Sequence, residues 1–300
     1  MRRALDSDIL ASFRASKVTV TAGAVTAAFL LLALLAGMIS PQNPFDPSQL
    51  ELINSRLPPI WSAEGQRPFL LGTDDQGRDM LSAILYGLRI SLVVGFMGVL
   101  FSATLGIGLG LLAGYLGGWV DAAVMRVADV QLTFPAILIA LLIDGVVKSA
   151  LGGQLAPGTI LSVLVVSIGL SFWVQYARTV RGSVMVEKNK DYVQAARLIG
   201  LSSPVIMLRH VLPNVMGPVL VIATINLALA IITEATLSFL GSGMPDTMAS
   251  LGTLIRIGNN YLFSGEWWIV AFPGAALAAL ILAINLLGDW LRDALNPRLR

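Results

Sequence analysis

DYVQAARLIGLSSPVIMLRHVLPN, residues 191–214, is a polar island in a greasy chain. It carries Asp191, Arg197, Arg209 and His210, the sole histidine. Tyr192, Ala195, Ala196 and Ile199 recur at i, i+3, i+4 and i+7, the spacing of one helical face. Gly200 stands where a helix would stop, Ser203 suits an N-cap and Pro204 a first helical position. Pro213 is expected to close the second helix. The segment therefore reads as a hairpin of two short helices.

Its surroundings are those of a membrane protein. The mean hydropathy is +0.78. Only 13% of residues are charged, against about a quarter in soluble domains. Six windows, 18–39, 90–114, 130–147, 159–177, 215–240 and 268–288, are candidate spans, most of them reaching the about 20 helical residues needed to cross a bilayer core. The third is the weakest, because Asp144 interrupts it. No alternating apolar/polar pattern of a β-barrel occurs, which leaves helices as the spanning element. The expectation is an all-α membrane protein of six spans. The first window is too long for a signal peptide and lacks a small-x-small cleavage site, so it reads as a retained helix. There is no cysteine, hence no disulfide.

With six spans, both termini share a side with the loops after the second and fourth. That side holds fourteen of the twenty basic residues, including Arg2, Arg3, Lys17, Arg126, Arg181, Lys188, Lys190, Arg298 and Arg300. The positive-inside rule makes it cytoplasmic, and the hairpin with it. The net charge of +2 follows from this topology and gives no reason to invoke nucleic acid. The expected organisation is a cytoplasmic tail 1–17, a first span 18–39, an extracytoplasmic segment 40–89, a five-helix core 90–289 carrying the hairpin 191–213, and a cytoplasmic tail 290–300.

Several chemistries are excluded. The chain has no G-x-x-x-x-G-K-[ST], no H-E-x-x-H and no G-x-S-x-G, so it carries no P-loop, zincin site or hydrolase elbow of its own. One histidine without cysteine cannot build the usual zinc site. Asp74 and Asp79 do not have EF-hand spacing and read as a solvated helix start. Glycines of the second span, among them Gly106, Gly110 and Gly114, read as a close-packing seam. Trp267 and Trp268 read as interfacial anchors. Glu234, Asn226 and Asn285 are polar residues within or beside spans; they either line a substrate path or bind neighbouring helices. An ion-driven secondary transporter would show internal repeats, and none is found. A membrane scaffold would not need the hairpin's spacing.

QAARLIG at 194–200 followed by VLPN at 211–214 resembles the EAA-x3-G…LP motif of bacterial ABC-importer permeases. LGTDDQGRDM (71–80), YGLRISL (86–92), the Phe-Pro of TFPAIL (133–138), EATLSFLG (234–241) and NLLGDWLRDALNP (285–297) resemble the C-type permease of peptide importers. That is the dipeptide/oligopeptide subfamily, which also includes nickel and glutathione importers. Two positions depart from the pattern: Gln194 replaces the usual glutamate, and Leu251 a common aromatic.

The resemblance implies the type I ABC-importer permease fold and a subunit of the bacterial inner membrane that is not itself an enzyme. Asp191, Tyr192, Gln194, Ala195, Ala196, Gly200, Leu212 and Pro213 would form the ATPase-coupling hairpin. The chain itself would bind no cofactor, ATP and Mg being held by two partner ATPase subunits. A homologous permease and an extracytoplasmic peptide-binding protein would complete the importer in the lipid bilayer. The substrates implied are di- or oligopeptides, with nickel complexes, glutathione or another peptide-like solute as the alternative.

Overall fold

The computed structural model describes residues 11–152 and 155–295. Arg2, Arg3, Arg298 and Arg300, and with them most of the two tails, lie outside the described residues. The described chain is helical: α1 (Lys17–Ile39), α2 (Met80–Leu116), α3 (Gly118–Leu132), α4 (Ala136–Leu151), α5 (Pro157–Glu187), α6 (Asp191–Leu198), α7 (Ser203–Phe239), α8 (Leu251–Asn259) and α9 (Trp268–Leu295). Helices α1, α2, α5, α7 and α9 are each long and apolar enough to span a membrane, and the bent pair α3–α4 makes a sixth if its two halves form one broken span rather than a re-entrant loop.

Helix α2 starts at Met80, ten residues ahead of the window 90–114 and at the helix start expected around Asp79, because the Asp79 side chain caps it, accepting from the Ser82 amide at 2.8 Å and hydroxyl at 2.6 Å. Other boundaries differ from expectation, each for a local reason. The window 130–147 is not one helix: α3 and α4 meet at 97°. Pro135 explains the break, since it lacks an N–H and disfavours helical geometry at Phe134. Asp144 of α4 is buried but sits 2.9 Å from Lys148 one turn on, which is how a carboxylate is tolerated there. Finally, Pro213 closes nothing. Helix α7 runs from Ser203 through a π-helical turn at Ile206–Val211 into Leu212–Phe239. Pro213 falls near the start of its last section, where the missing donor is absorbed by the altered bonding of the π-turn. The cap position before α7 is Ser202, not Ser203.

The bundle is organised by the packing of α2 on α5. A Cβ added at Gly106 would lie 2.4 Å from the Trp173 carbonyl oxygen, and one at Gly110 would lie 2.5 Å from that of Ala177. At Gly114 it would meet Val184 at 2.8 Å. The glycine seam is a backbone-to-backbone approach that any side chain would prise open. Helix α7 packs on the other side of this pair, and α1 lies at the edge against α9 and α2.

At the end of the bundle opposite the hairpin, residues 40–79 fold into a compact cover. Here Asp74 and Arg78 are 0% and 1% exposed, which overturns the solvated reading of this motif. Asp74 accepts from the backbone amides of Gln76 and Arg78, both at 2.9 Å, and from Arg78 Nε at 2.5 Å. Arg78 Nη1 then donates to the Asp246 carbonyl at 2.7 Å, tying the cover to the loop after α7. Trp268 is also buried rather than interfacial: its indole N–H donates to the Thr73 carbonyl at 3.0 Å. Trp267 remains half-exposed beside it.

Candidate functional site

The hairpin forms because two helices are stopped and started by strong local signals. Helix α6 ends at Gly200 with φ +81°, a left-handed conformation that costs glycine nothing and leaves open space around it. The Gly200 amide donates to Arg197 O at 3.0 Å and the Leu201 amide to Ala196 O at 3.1 Å, satisfying the last carbonyls. Asp191 lies in the first turn of α6 and Arg197 in its last, each complementing the helix dipole.

The buried face of α6 is Val193 and Ala196, packed into a core with Tyr115, Val180, Val184, Ile206 and Val211. Ala196 therefore belongs to the chain's own interior, whereas Ala195 and Gln194 face outward. Leu198 and Ile199 are 88% and 76% exposed, and Val205 and Leu208 at the start of α7 are exposed as well. These four make an apolar ledge on the tip of the hairpin. Sequence reasoning marked Ile199 but missed Leu198, Val205 and Leu208. The signal was available: α6 has more apolar positions than one face of an eight-residue helix can hold.

Tyr192 ties the hairpin to the spans. Its hydroxyl donates to the Glu187 carboxylate at the end of α5 and accepts from Asn214 Nδ2 of α7 at 3.0 Å. Asn214 Nδ2 also donates to the His210 carbonyl at 2.7 Å. Burial, with the Glu187 carboxylate beside it, pushes the Tyr192 phenol up to about 12, so it stays a donor at physiological pH. Lys188 Nζ donates to the Gly114 carbonyl at 2.7 Å, and the Arg197 guanidinium lies 5.0 Å from the Tyr115 ring centre, which links α6 to the end of α2. Gln194 Nε2 donates to the Lys188 carbonyl at 3.1 Å. Leu212 is half-buried against the hairpin core and Pro213 is exposed. These contacts tie the hairpin to the ends of α2, α5 and α7.

The polar residues considered for a path are scattered. Glu234 is wholly buried and accepts from Ser91 Oγ of α2 and Ser238 Oγ, each at 2.7 Å. Ser91 Oγ in turn accepts from the Leu251 amide at 3.3 Å, so this carboxyl knots α2, α7 and α8. Asn226 of α7 is buried beside Tyr176 of α5. Asn285 is exposed on α9. Among the described residues, no group of three His, Asp or Glu side chains is placed to hold a metal ion.

Residues 106–300 match the model of the binding-protein-dependent transport system inner membrane component family. The dipeptide transport system permease protein of Haemophilus influenzae is 40% identical over 273 residues, covering 91% of this chain and 89% of the relative. The di/tripeptide transport system permease protein of Pseudomonas aeruginosa is 39% identical over 276 residues, covering 91% and 86%. The oligopeptide transport system permease protein of Bacillus subtilis is 32% identical over 293 residues, covering 98% and 90%. Among solved structures, the methionine ABC transporter MetNI in an inward-facing conformation superposes with a TM-score of 0.56 at 19% identity, over 72% of this chain and 98% of that one, a likeness of fold.

Proposed function

Because the chain belongs to the family of binding-protein-dependent transport system inner membrane components, we propose that it is a membrane-spanning subunit of an ATP-driven importer of di- or oligopeptides, driven through the hairpin 191–213. The observation that carries this reading is the apolar ledge of Leu198, Ile199, Val205 and Leu208 on a platform tied to three spanning helices. A monomer gains nothing by exposing such a patch; a partner that covers it gains both contact and a handle on the bundle. The partner is an ATPase subunit, one of two, each holding ATP and Mg. A homologous permease completes the path, and an extracytoplasmic binding protein delivers the cargo.

The skew of basic residues, fourteen of twenty on the hairpin side, supports a cytoplasmic location for that side and both termini. ATP-driven closure of the ATPase pair pushes on the ledge, and α6 carries the displacement to α2, α5 and α7. The peptide assignment rests on what the relatives are named for.

The test is the double substitution Leu198→Asp, Ile199→Asp. Both side chains are exposed, so the chain's own stability should change by less than about 0.5 kcal/mol per site. Uptake of a labelled dipeptide and co-purification of the ATPase should each fall at least tenfold. Unchanged co-purification would refute the docking role. Cells lacking the gene that keep dipeptide uptake but lose nickel uptake would replace the peptide cargo with a nickel complex.

A further inference from the structure

Arg89 is the one charge on α2, and the fold leaves it without a partner. It is exposed and makes no ion pair or hydrogen bond among the described residues, unlike the buried Arg78 just before the helix. The length of uncharged helix beyond Arg89 sets its depth. From Ile90 to the end of α2 at Leu116 no residue is charged, a run of about 40 Å at 1.5 Å per residue. That run covers a hydrocarbon core of about 30 Å and leaves Arg89 at the level of the headgroups.

Two open grooves meet at this guanidinium. One, of about 330 Å³, runs from Arg89 deeper along the seam of α1 and α2, between Leu30 and Leu34 on one wall and Leu92, Phe96 and Met97 on the other. The second, of about 340 Å³, lies on the far flank of Arg89, between Phe45, Tyr86, Leu161 and Met248. No acidic side chain lines either groove. A cation at headgroup depth with an apolar trough descending from it has the shape and charge of the complement to a phosphodiester bearing acyl chains.

We propose that Arg89 and the α1–α2 groove bind a phospholipid of the leaflet opposite the hairpin, the phosphate on the guanidinium and one acyl chain along Leu34, Leu92 and Phe96. The second groove takes the other chain. Since α1 packs mainly against α2 and α9 at the bundle's edge, the lipid fills the gap between this edge helix and the core. The site rests on the orientation proposed above only for naming the leaflet as the outer one, and it stands or falls independently of the transported solute.

The experiment uses the full chain purified in detergent with the subunits that accompany it, stripped of lipid by washing. Dioleoylphosphatidylglycerol or dioleoylglycerol, which has the same chains and no phosphate, is titrated in and bound copies are counted by native mass spectrometry. Wild type should hold one phosphatidylglycerol at least tenfold more tightly than Arg89→Gln, and Arg89→Lys should retain most of that preference. Leu34→Trp, which blocks the groove and keeps the charge, should lose it too. Dioleoylglycerol should show no difference between wild type and Arg89→Gln. Equal lipid binding by wild type, Arg89→Gln and Leu34→Trp would overturn the proposal. So would a disulfide from Arg89→Cys to a cysteine on the partner permease, or a raised KM for dipeptide uptake in Arg89→Gln with lipid binding intact. The first of these gives the site to the partner, the second to the cargo.

Discussion

Arg78→Ala should destabilise this chain severely, although Arg78 lies in a segment that looks like a loop. The wild-type guanidinium neutralises Asp74, which is 0% exposed, and reaches Asp246 O across 168 residues of sequence. Removing one partner of a buried ion pair costs about 3–5 kcal/mol. Asp74 keeps two backbone amide donors at 2.9 Å, which places the loss near the lower bound, about 3 kcal/mol. The orphaned Asp246 carbonyl adds about 1 kcal/mol. At about 2–4 °C per kcal/mol for a chain of this size, Tm should drop by about 8–16 °C.

Thermal unfolding of the purified protein, followed by tryptophan fluorescence at fixed scan rate, reads this directly, since the Trp268 indole hydrogen-bonds the same segment through Thr73. The double variant Asp74→Asn, Arg78→Met keeps an oxygen for the two amides and removes both charges. It should recover most of the loss. A single variant within 2 °C of wild type, or a double variant worse than the single, would refute the buried-pair argument.

Ala196→Glu should lower Tm and expression, costing a few kcal/mol, because Ala196 packs against the chain's own core; normal folding with lost ATPase binding would move it to the docking face. Gly110→Leu should separate α2 from α5 and cost at least 1–3 kcal/mol, measured as loss of the folded monomer peak in size exclusion. Burial pushes the Asp75 carboxyl above its usual value, with the neighbouring Asp74 charge adding to it. An acid with a raised folded-state pKa stabilises most when protonated and loses that contribution as pH rises through the folded pKa. Asp75→Asn should therefore raise Tm at pH 7, and the gap should close as pH falls toward 4; a gap independent of pH counts against it. Tyr192→Phe should leave the ATPase bound yet lower the number of peptides moved per ATP, because the Glu187–Tyr192–Asn214 clasp is lost; an unchanged ratio would assign the phenol to docking alone.

What could be seen in the sequence was whatever depends on one segment alone. Charge-free windows mark α1, α5, α7 and α9 because a spanning helix must be apolar along its length. The glycine seam was legible because close helix approach has few other solutions. Asp74 and Asp79 were misjudged as solvated for the opposite reason: charges near a turn normally meet water, and it is Asp246, far along the chain, that closes over the Asp74–Arg78 pair. Trp268 differs from Trp267 through its bond to Thr73 and its place in the core cluster, which no local pattern reveals. Within the hairpin, periodicity found a helix but not which of its two apolar faces turns inward, since that choice is made by Tyr115 and Val184 on other helices.

The π-turn at Ile206–Val211 sets an angular phase. A π-turn amounts to one residue inserted in an α-helix, and each residue turns the helix by about 100°. The ledge residues Val205 and Leu208 precede most or all of that extra residue, while Val215, Val219 and Asn226 come after it. Both sets thus face the directions they need although no uninterrupted α-helix would align them. Deleting one residue between Ile206 and Val211 would shorten α7 by that one residue and leave it as apolar as before, yet swing the hairpin tip by more than a quarter-turn about the axis of its own span.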